Sequence, residues 1–151
     1  MNALTKKSLA IAGTVLAASL LASCETPKVT AEEMESVNYG PAPVHWKEEI
    51  QGYLSLRLRD PKEATVDFRT EPKKFFQKQV ALDPQVHGWA VCVWIRDKAK
   101  DGTFDKMYPM TVFLRNEKIV AVNNGPENFG PSGPIYAREQ CKQLGAPFPS
   151  D

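Results

Sequence analysis

From Val86 to Arg96 the chain is apolar on both parities of an extended backbone. Trp89, Val91, Val93 and Ile95 fall on one side, and Ala90, Cys92 and Trp94 on the other. A strand patterned this way is central in its sheet and covered on both faces, at least in part. From Glu63 to Thr70, Ala64, Val66 and Phe68 alternate with Thr65, Asp67 and Arg69, the pattern of a half-buried strand that Pro72 ends. Met110 to Arg115 is expected as a third strand and Lys118 to Asn123 as a fourth, joined by a tight turn at Asn116-Glu117. The polar run Lys98 to Met107, centred on Asp101-Gly102, carries a hairpin turn signal. Lys73 to Pro84 is basic and then mixed, with Phe75, Phe76, Val80 and Leu82, and is expected as a loop or short irregular strand.

Two segments have helical spacing. In Val44 to Arg59, Trp46, Ile50, Tyr53 and Leu54 share one face that Arg57 and Leu58 continue, while Lys47, Glu48, Glu49 and Gln51 face outward. The turn Tyr39-Gly40-Pro41-Ala42-Pro43 precedes it. Asp60-Pro61 stops it, because a residue before proline is pushed out of helical geometry. Ser132 or Gly133 can cap a last helix with Pro134 in its first turn; Ala137, Cys141 and Leu144 share its face and Gly145 ends it. The tail from Ala146 to Asp151 is expected to be loose. Together these elements make an α+β domain of two layers: an N-terminal helix, a four-stranded antiparallel sheet and a C-terminal helix.

The first residues follow a different pattern. Lys6 and Lys7 open a run from Ser8 to Leu21 that is apolar, small and uncharged, and small residues lead to Cys24. That is the layout of a secretory signal. The run is about 14 residues, short of the roughly 20 that a spanning helix needs, and no later stretch approaches that length. Leu21-Ala22-Ser23-Cys24 resembles the lipobox of bacterial lipoproteins. The resemblance implies that the Cys24 thiol receives a diacylglycerol, that cleavage falls before it, and that the new amine is acylated as well. One acyl chain binds a bilayer only reversibly, whereas two or three, palmitate among them, give a lasting anchor. The alternative is ordinary secretory cleavage with Cys24 a chance residue, since Ala22 fits either scheme. Glu25, in place of the Asp that favours inner-membrane retention in the enterobacterial pattern, points to the periplasmic face of the outer membrane.

The expected organisation is therefore a signal peptide at 1–23, a flexible tether at 24–40 and one α+β domain at 41–151. Within the acidic tether, Glu32-Glu33-Met34-Glu35 reads either as a nascent helical turn or as a solvated face. Of 151 residues, 42% are hydrophobic and 25% charged, which excludes global disorder and suits one domain with a real core. Removing 1–23 takes Lys6 and Lys7 with it. From totals of 19 basic and 18 acidic side chains that leaves 17 against 18, a formal charge of −1. Nucleic-acid binding needs a net basic face, so none is expected.

With Cys24 acylated, Cys92 and Cys141 remain, an even number in an oxidising compartment. They are expected to pair; the alternative is two buried free thiols. Further words resemble a set of small Gram-negative lipoproteins and periplasmic proteins with no assigned reaction. These are Leu58-Arg59-Asp60-Pro61 with Ala64 soon after, and Gly88-Trp89-Ala90-Val91-Cys92. The likeness spans about half of the mature chain and departs after Ile95: those proteins continue with an Asn-rich Gly-Gly-Tyr turn where this chain has Arg96 to Lys106. It implies fold and address rather than an activity.

Catalytic patterns are missing from the sequence. His45 and His87 are the only histidines, and neither has metal-ligand spacing to another His, Cys or carboxylate pair. There is no Gly-x-Ser-x-Gly, no HExxH and no CxxC. Asp101 and Asp105 lack the remaining ligands of an EF-hand loop. Asn124 to Pro134 is rich in glycine and proline, but its prolines remove the amides that a phosphate cradle needs. No cofactor or metal is expected. Trp46, Trp89 and Trp94 are read as core residues, or as a platform for sugar or peptidoglycan. Lys73, Lys74 and Lys78 beside Phe75 and Phe76 are read as a solvated basic face, or as a contact for anionic headgroups. The expected function is a non-catalytic, membrane-anchored periplasmic protein that binds another envelope protein or supports envelope assembly. The alternative is a small-ligand or peptidoglycan-binding module, and the third reading is a hydrolase with a site assembled from distant residues. A Cys24→Ala chain is expected to take up no radiolabelled palmitate and to leave the membrane fraction on fractionation. Continued labelling would show that the fatty chains sit elsewhere.

Overall fold

A computed structural model describes residues 28–79, 84–126 and 133–149; Cys24, the rest of the expected export segment and Ser132 lie outside them. In chain order the elements are α1 (Ala31–Glu35), α2 (Trp46–Ser55), β1 (Thr65–Phe68), β2 (Lys73–Gln77), β3 (Val86–Arg96), β4 (Tyr108–Arg115), β5 (Lys118–Asn123) and α3 (Gly133–Gln143). The class is α+β, and all pairings among the strands are antiparallel.

β3 is the longest strand, with 11 residues, and the others are arranged on it. One edge pairs with β4, which pairs onward with β5. The other edge is shared end to end by β1 and β2. Thr65 faces Arg96 and Lys73 faces Ala90, so eight steps on the edge cover six on β3 and two residues are extruded between them. The break is stitched locally. Arg69 N–H donates to the Cys92 carbonyl at 2.9 Å, and Cys92 N–H donates to the Thr70 hydroxyl at 2.9 Å. Pro72, which has no N–H, sits in the gap. The expected four strands are thus five segments. The added one, β2, lies where a loop or irregular strand is expected from Lys73-Lys74 and Phe75-Phe76, a doublet pattern without alternation. Pairing with β3 overrides that local signal.

β4 begins two residues before the expected Met110 and includes Pro109. β5 pairs only from Thr111 onward, so Pro109 lies where no outer partner needs its missing N–H. Its carbonyl accepts from Asn124 Nδ2 at 2.7 Å. The turn between β4 and β5 holds Asn116 at φ 51° and Glu117 at φ 59°, the paired positive values of a type I′ hairpin.

α2 is shorter than the expected Val44–Arg59 at both ends. Both Arg57 and Leu58 donate their N–H to the Leu54 carbonyl, which tightens the last turn and ends the helix. At the start, His45 occupies the N-cap without a side-chain cap bond. The cap comes from far along the chain: Glu117 accepts from Val44 N–H at 2.7 Å and His45 N–H at 3.1 Å. These two bonds hold the Glu117 carboxyl below its usual range.

The two helices lie on opposite faces of the sheet, giving three layers rather than the expected two. On one face Trp46, Ile50, Leu54 and Leu58 pack on Val91, Val93, Ile95, Met110, Val112 and Leu114. On the other, Cys141, Leu144 and Ala146 pack on Ala90, Cys92 and Phe113. The apolar residues on both sides of β3 call for cover on both faces, which α2 and α3 supply. α3 ends at Gly145, φ 95°, with Gly145 N–H on the Lys142 carbonyl and Ala146 N–H on the Cys141 carbonyl, a Schellman end that needs a residue without Cβ.

Cys92 and Cys141 are joined by a disulfide with Cα atoms 5.2 Å apart, fixing α3 to the middle of β3. Residues 28–40, within the expected tether, include α1, whose Thr30–Glu33 pair forms a capping box. Tyr39 is 5% exposed and belongs to the buried set. The tail is not loose where it is described: Ala146 is buried, and Phe148 packs edge to face on Trp94 with centroids 5.0 Å apart. Replacing both Cys92 and Cys141 with Ala is expected to lower the unfolding free energy by about 2–4 kcal/mol, because the bond closes a loop with a sequence separation of 49. A urea midpoint equal to that of the parent chain would contradict this.

Candidate functional site

The carboxylates expected around Asp60 and in the Lys98–Met107 loop are engaged in joining segments. Asp97, 7% exposed, accepts from the backbone N–H of Arg59 at 2.9 Å, of Lys98 at 2.8 Å and of Asp60 at 3.4 Å. The Lys98 ammonium bridges Asp60 and Glu63. It holds the Asp60 carboxyl below its usual range, and its own pKa is raised by Glu63 first and Asp60 second. Arg59 donates to the Lys98 carbonyl at 2.6 Å and to Asp105 at 3.2 Å. The Leu58-Arg59-Asp60-Pro61 word therefore locks the end of α2 to the end of β3. Nearby, burial first and then Asp97 and Asp105 push the Tyr108 phenol up to about 12, so it stays neutral. Asp101 turns the loop by accepting from Thr103 N–H at 2.9 Å and its hydroxyl at 2.6 Å.

The two histidines sit in different settings. His45 is exposed at the start of α2. His87 is half-buried on β3, and Arg115 Nη1 lies 2.6 Å from its Nε2. Tyr39 meets the ring edge to face at 6.1 Å, and Phe76 stacks on it at 6.4 Å. Burial and then the Arg115 charge lower the His87 pKa, against a hydrogen bond with the Asn38 backbone. The neutral ring accepts from the guanidinium, which occupies the lone pair that a general base would use. Among the described residues the buried hydroxyl of Tyr39 has no hydrogen-bond partner.

The tryptophans divide. Trp46 is core, edge to face with Phe68 at 5.3 Å. Trp89 is half-buried and donates from Nε1 to the Gly40 carbonyl at 3.2 Å. Trp94 is half-buried on the α3 side. The basic stretch is likewise engaged. Lys73 donates to the Leu144 carbonyl at 2.7 Å, Lys74 lies over the rings of Tyr39 and Trp89, and Lys78 pairs with Glu33 at 2.9 Å. Phe76 is buried and Phe75 packs on Phe113 at 5.9 Å, while Lys73 and Lys74 are exposed, so the basic face is solvated as expected and the rings beside it are tied into the fold.

An open surface feature lies instead between α3 and the tail. Ile135, Arg138, Glu139 and Lys142 form one wall and Pro147 and Phe148 the other of a groove of about 310 Å³. Ile135 is 70% exposed. Behind the groove runs a ladder of rings and guanidiniums: Arg69 lies 4.1 Å over Trp94, Trp94 meets Phe148 at 5.0 Å, and Arg138 lies 4.8 Å over Phe148. Arg69 is neutralised by Asp67 at 2.8 Å, and Arg138 also donates to the Pro149 carbonyl at 3.1 Å. Glu139 accepts from Gln143 at 3.1 Å. Sequence reasoning misses this feature. Its one signal is Ile135, an aliphatic residue outside the Ala137–Cys141–Leu144 face, followed by a lone Phe148 in a proline-rich tail.

The site so defined is a surface groove on a disulfide-joined, three-layer α+β domain. The chain matches no protein-family model, no curated protein and no solved structure. Because the folded pKa of His87 lies below the 6.5 of an exposed imidazole, the unfolded chain binds the proton more readily. Stability is therefore expected to be full above about pH 6.5 and to fall as pH drops through that value toward the folded pKa. Urea midpoints between pH 7.5 and 5 should show the fall, and His87→Gln should flatten it. An unchanged slope in the variant would assign the effect to other groups.

Proposed function

We propose that the protein is a non-catalytic lipoprotein, held by acyl chains on Cys24 at the periplasmic face of the outer membrane, whose domain binds another envelope protein. The observation that carries this reading is the Cys92–Cys141 disulfide, buried between β3 and α3. Such a bond suits a domain that folds and works in an oxidising compartment, the address that the export segment and the Leu21-Ala22-Ser23-Cys24 word imply. A protein contact suits the exposed aliphatic and cationic groove better than a sugar platform does. Trp94 and Phe148 each already carry a guanidinium on a face and meet each other edge to face.

Photoreactive residues placed at Ile135, Leu56 and Val44, which are 70%, 81% and 75% exposed, sample three separate surface points. Irradiation of cells of the native host is expected to give, from at least one position, an adduct of defined mass with another envelope protein. The absence of any adduct from all three positions across growth conditions would overturn the reading.

A further inference from the structure

Ile135, Arg138 and Lys142 follow one another at spacings of three and four along α3, so they form a stripe on one helix face. That face lines the groove opposite Pro147 and Phe148. The stripe joins an exposed aliphatic side chain to two cations. Among the described residues neither Arg138 nor Lys142 has a carboxylate partner, whereas Arg69 at the far end of the ladder does. Glu139 is the groove's one acid, and Gln143 holds its carboxylate.

We infer that this groove binds an acidic peptide segment of the partner, one that sets an aliphatic side chain beside a carboxylate. The inference rests on the envelope-protein reading above and adds the place and the chemistry of contact. The apolar side chain packs between Ile135, Pro147 and Phe148, removing exposed carbon surface from water. The carboxylates meet Lys142 and the outward N–H groups of Arg138. Stacking on Phe148 and the bond to the Pro149 carbonyl hold the Arg138 guanidinium in place, so little side-chain freedom is lost when it engages an acid. A glycan stacks on open ring faces, and Trp94 and Phe148 each have one face covered by a guanidinium.

The probe is a fluorescein-labelled eight-residue peptide alternating Leu and Glu, added to the full mature chain in detergent micelles and read by anisotropy. Its Leu/Gln and Leu/Lys counterparts and a soluble muropeptide are the comparisons. The Leu/Glu peptide is expected to bind and the Leu/Gln peptide to bind more weakly. Lys142→Glu, an exposed change checked by circular dichroism and by the intact disulfide, should weaken Leu/Glu binding at least about fivefold, because an attractive exposed pair becomes a repulsive one. It should also strengthen Leu/Lys binding, an exchange that lost packing alone would not produce. Leu/Glu binding unchanged by Lys142→Glu would overturn the inference, as would binding of the muropeptide without the Leu/Glu peptide. In cells, an adduct through an acidic peptide at Ile135 supports it. Adducts at Leu56 or Val44 with none at Ile135 overturn the groove while leaving the envelope-protein reading intact. Silence at all three positions overturns both, and an Ile135 adduct that is only a second copy of this chain overturns the assignment to a partner.

Discussion

Burying both faces of β3 is the constraint on which the remaining architecture depends. A backbone buried so deeply has to satisfy its polar groups internally, because an unpaired N–H or C=O away from water costs about 1–3 kcal/mol, more than a made bond contributes. β4 meets that need along one edge. On the other edge β1 and β2 do so except at the break, where Thr70 lends its hydroxyl to the Cys92 amide. Each face then needs its own cover, α2 on one and α3 on the other. The disulfide springs from that same residue, so the weakest point of the edge pairing and the covalent tie to α3 coincide at Cys92.

Much of this was legible from local pattern. β3 and β5 have the bounds that alternation indicates, the β4–β5 turn falls at Asn116-Glu117, and α3 ends where Gly145 permits a left-handed residue. The two-sided pattern of β3 already implied cover on both faces. What local pattern does not carry is partnership across distance. β2 looks irregular because Lys73-Lys74 and Phe75-Phe76 hide the alternation, and only the presence of an unpaired β3 edge makes it a strand. The groove was hidden for a similar reason. Its walls are the outer side of α3 and a tail whose composition suggests nothing ordered, and the tail is held because Phe148 finds Trp94.

Two acidic side chains follow one rule. Glu117 caps α2 from 73 positions away, and Asp97 gathers the amides of Arg59 and Asp60 from 38 and 37 away. In both places a carboxylate collects backbone donors that the end of an element leaves over, which local side chains more commonly do. A charge count along the chain shows these residues as ordinary surface acids. Their roles follow from which loop ends the sheet brings near them. The Arg59-Asp60-Pro61 word acquires a physical meaning here: the amides of Arg59 and Asp60 are what Asp97 holds.

The pairing of Glu33 with Lys78 has a consequence for posture. Nine residue steps separate Cys24 from Glu33, at most about 30 Å of fully stretched chain. Lys78 lies just past the end of β2 that faces Val86, whereas Trp94 stands eight residues further along β3, about 26 Å away. With Cys24 lipidated as proposed, the Lys78 end of the sheet could stand no more than about 30 Å of chain from the lipid, and the Trp94–Phe148 end could reach about 26 Å beyond it.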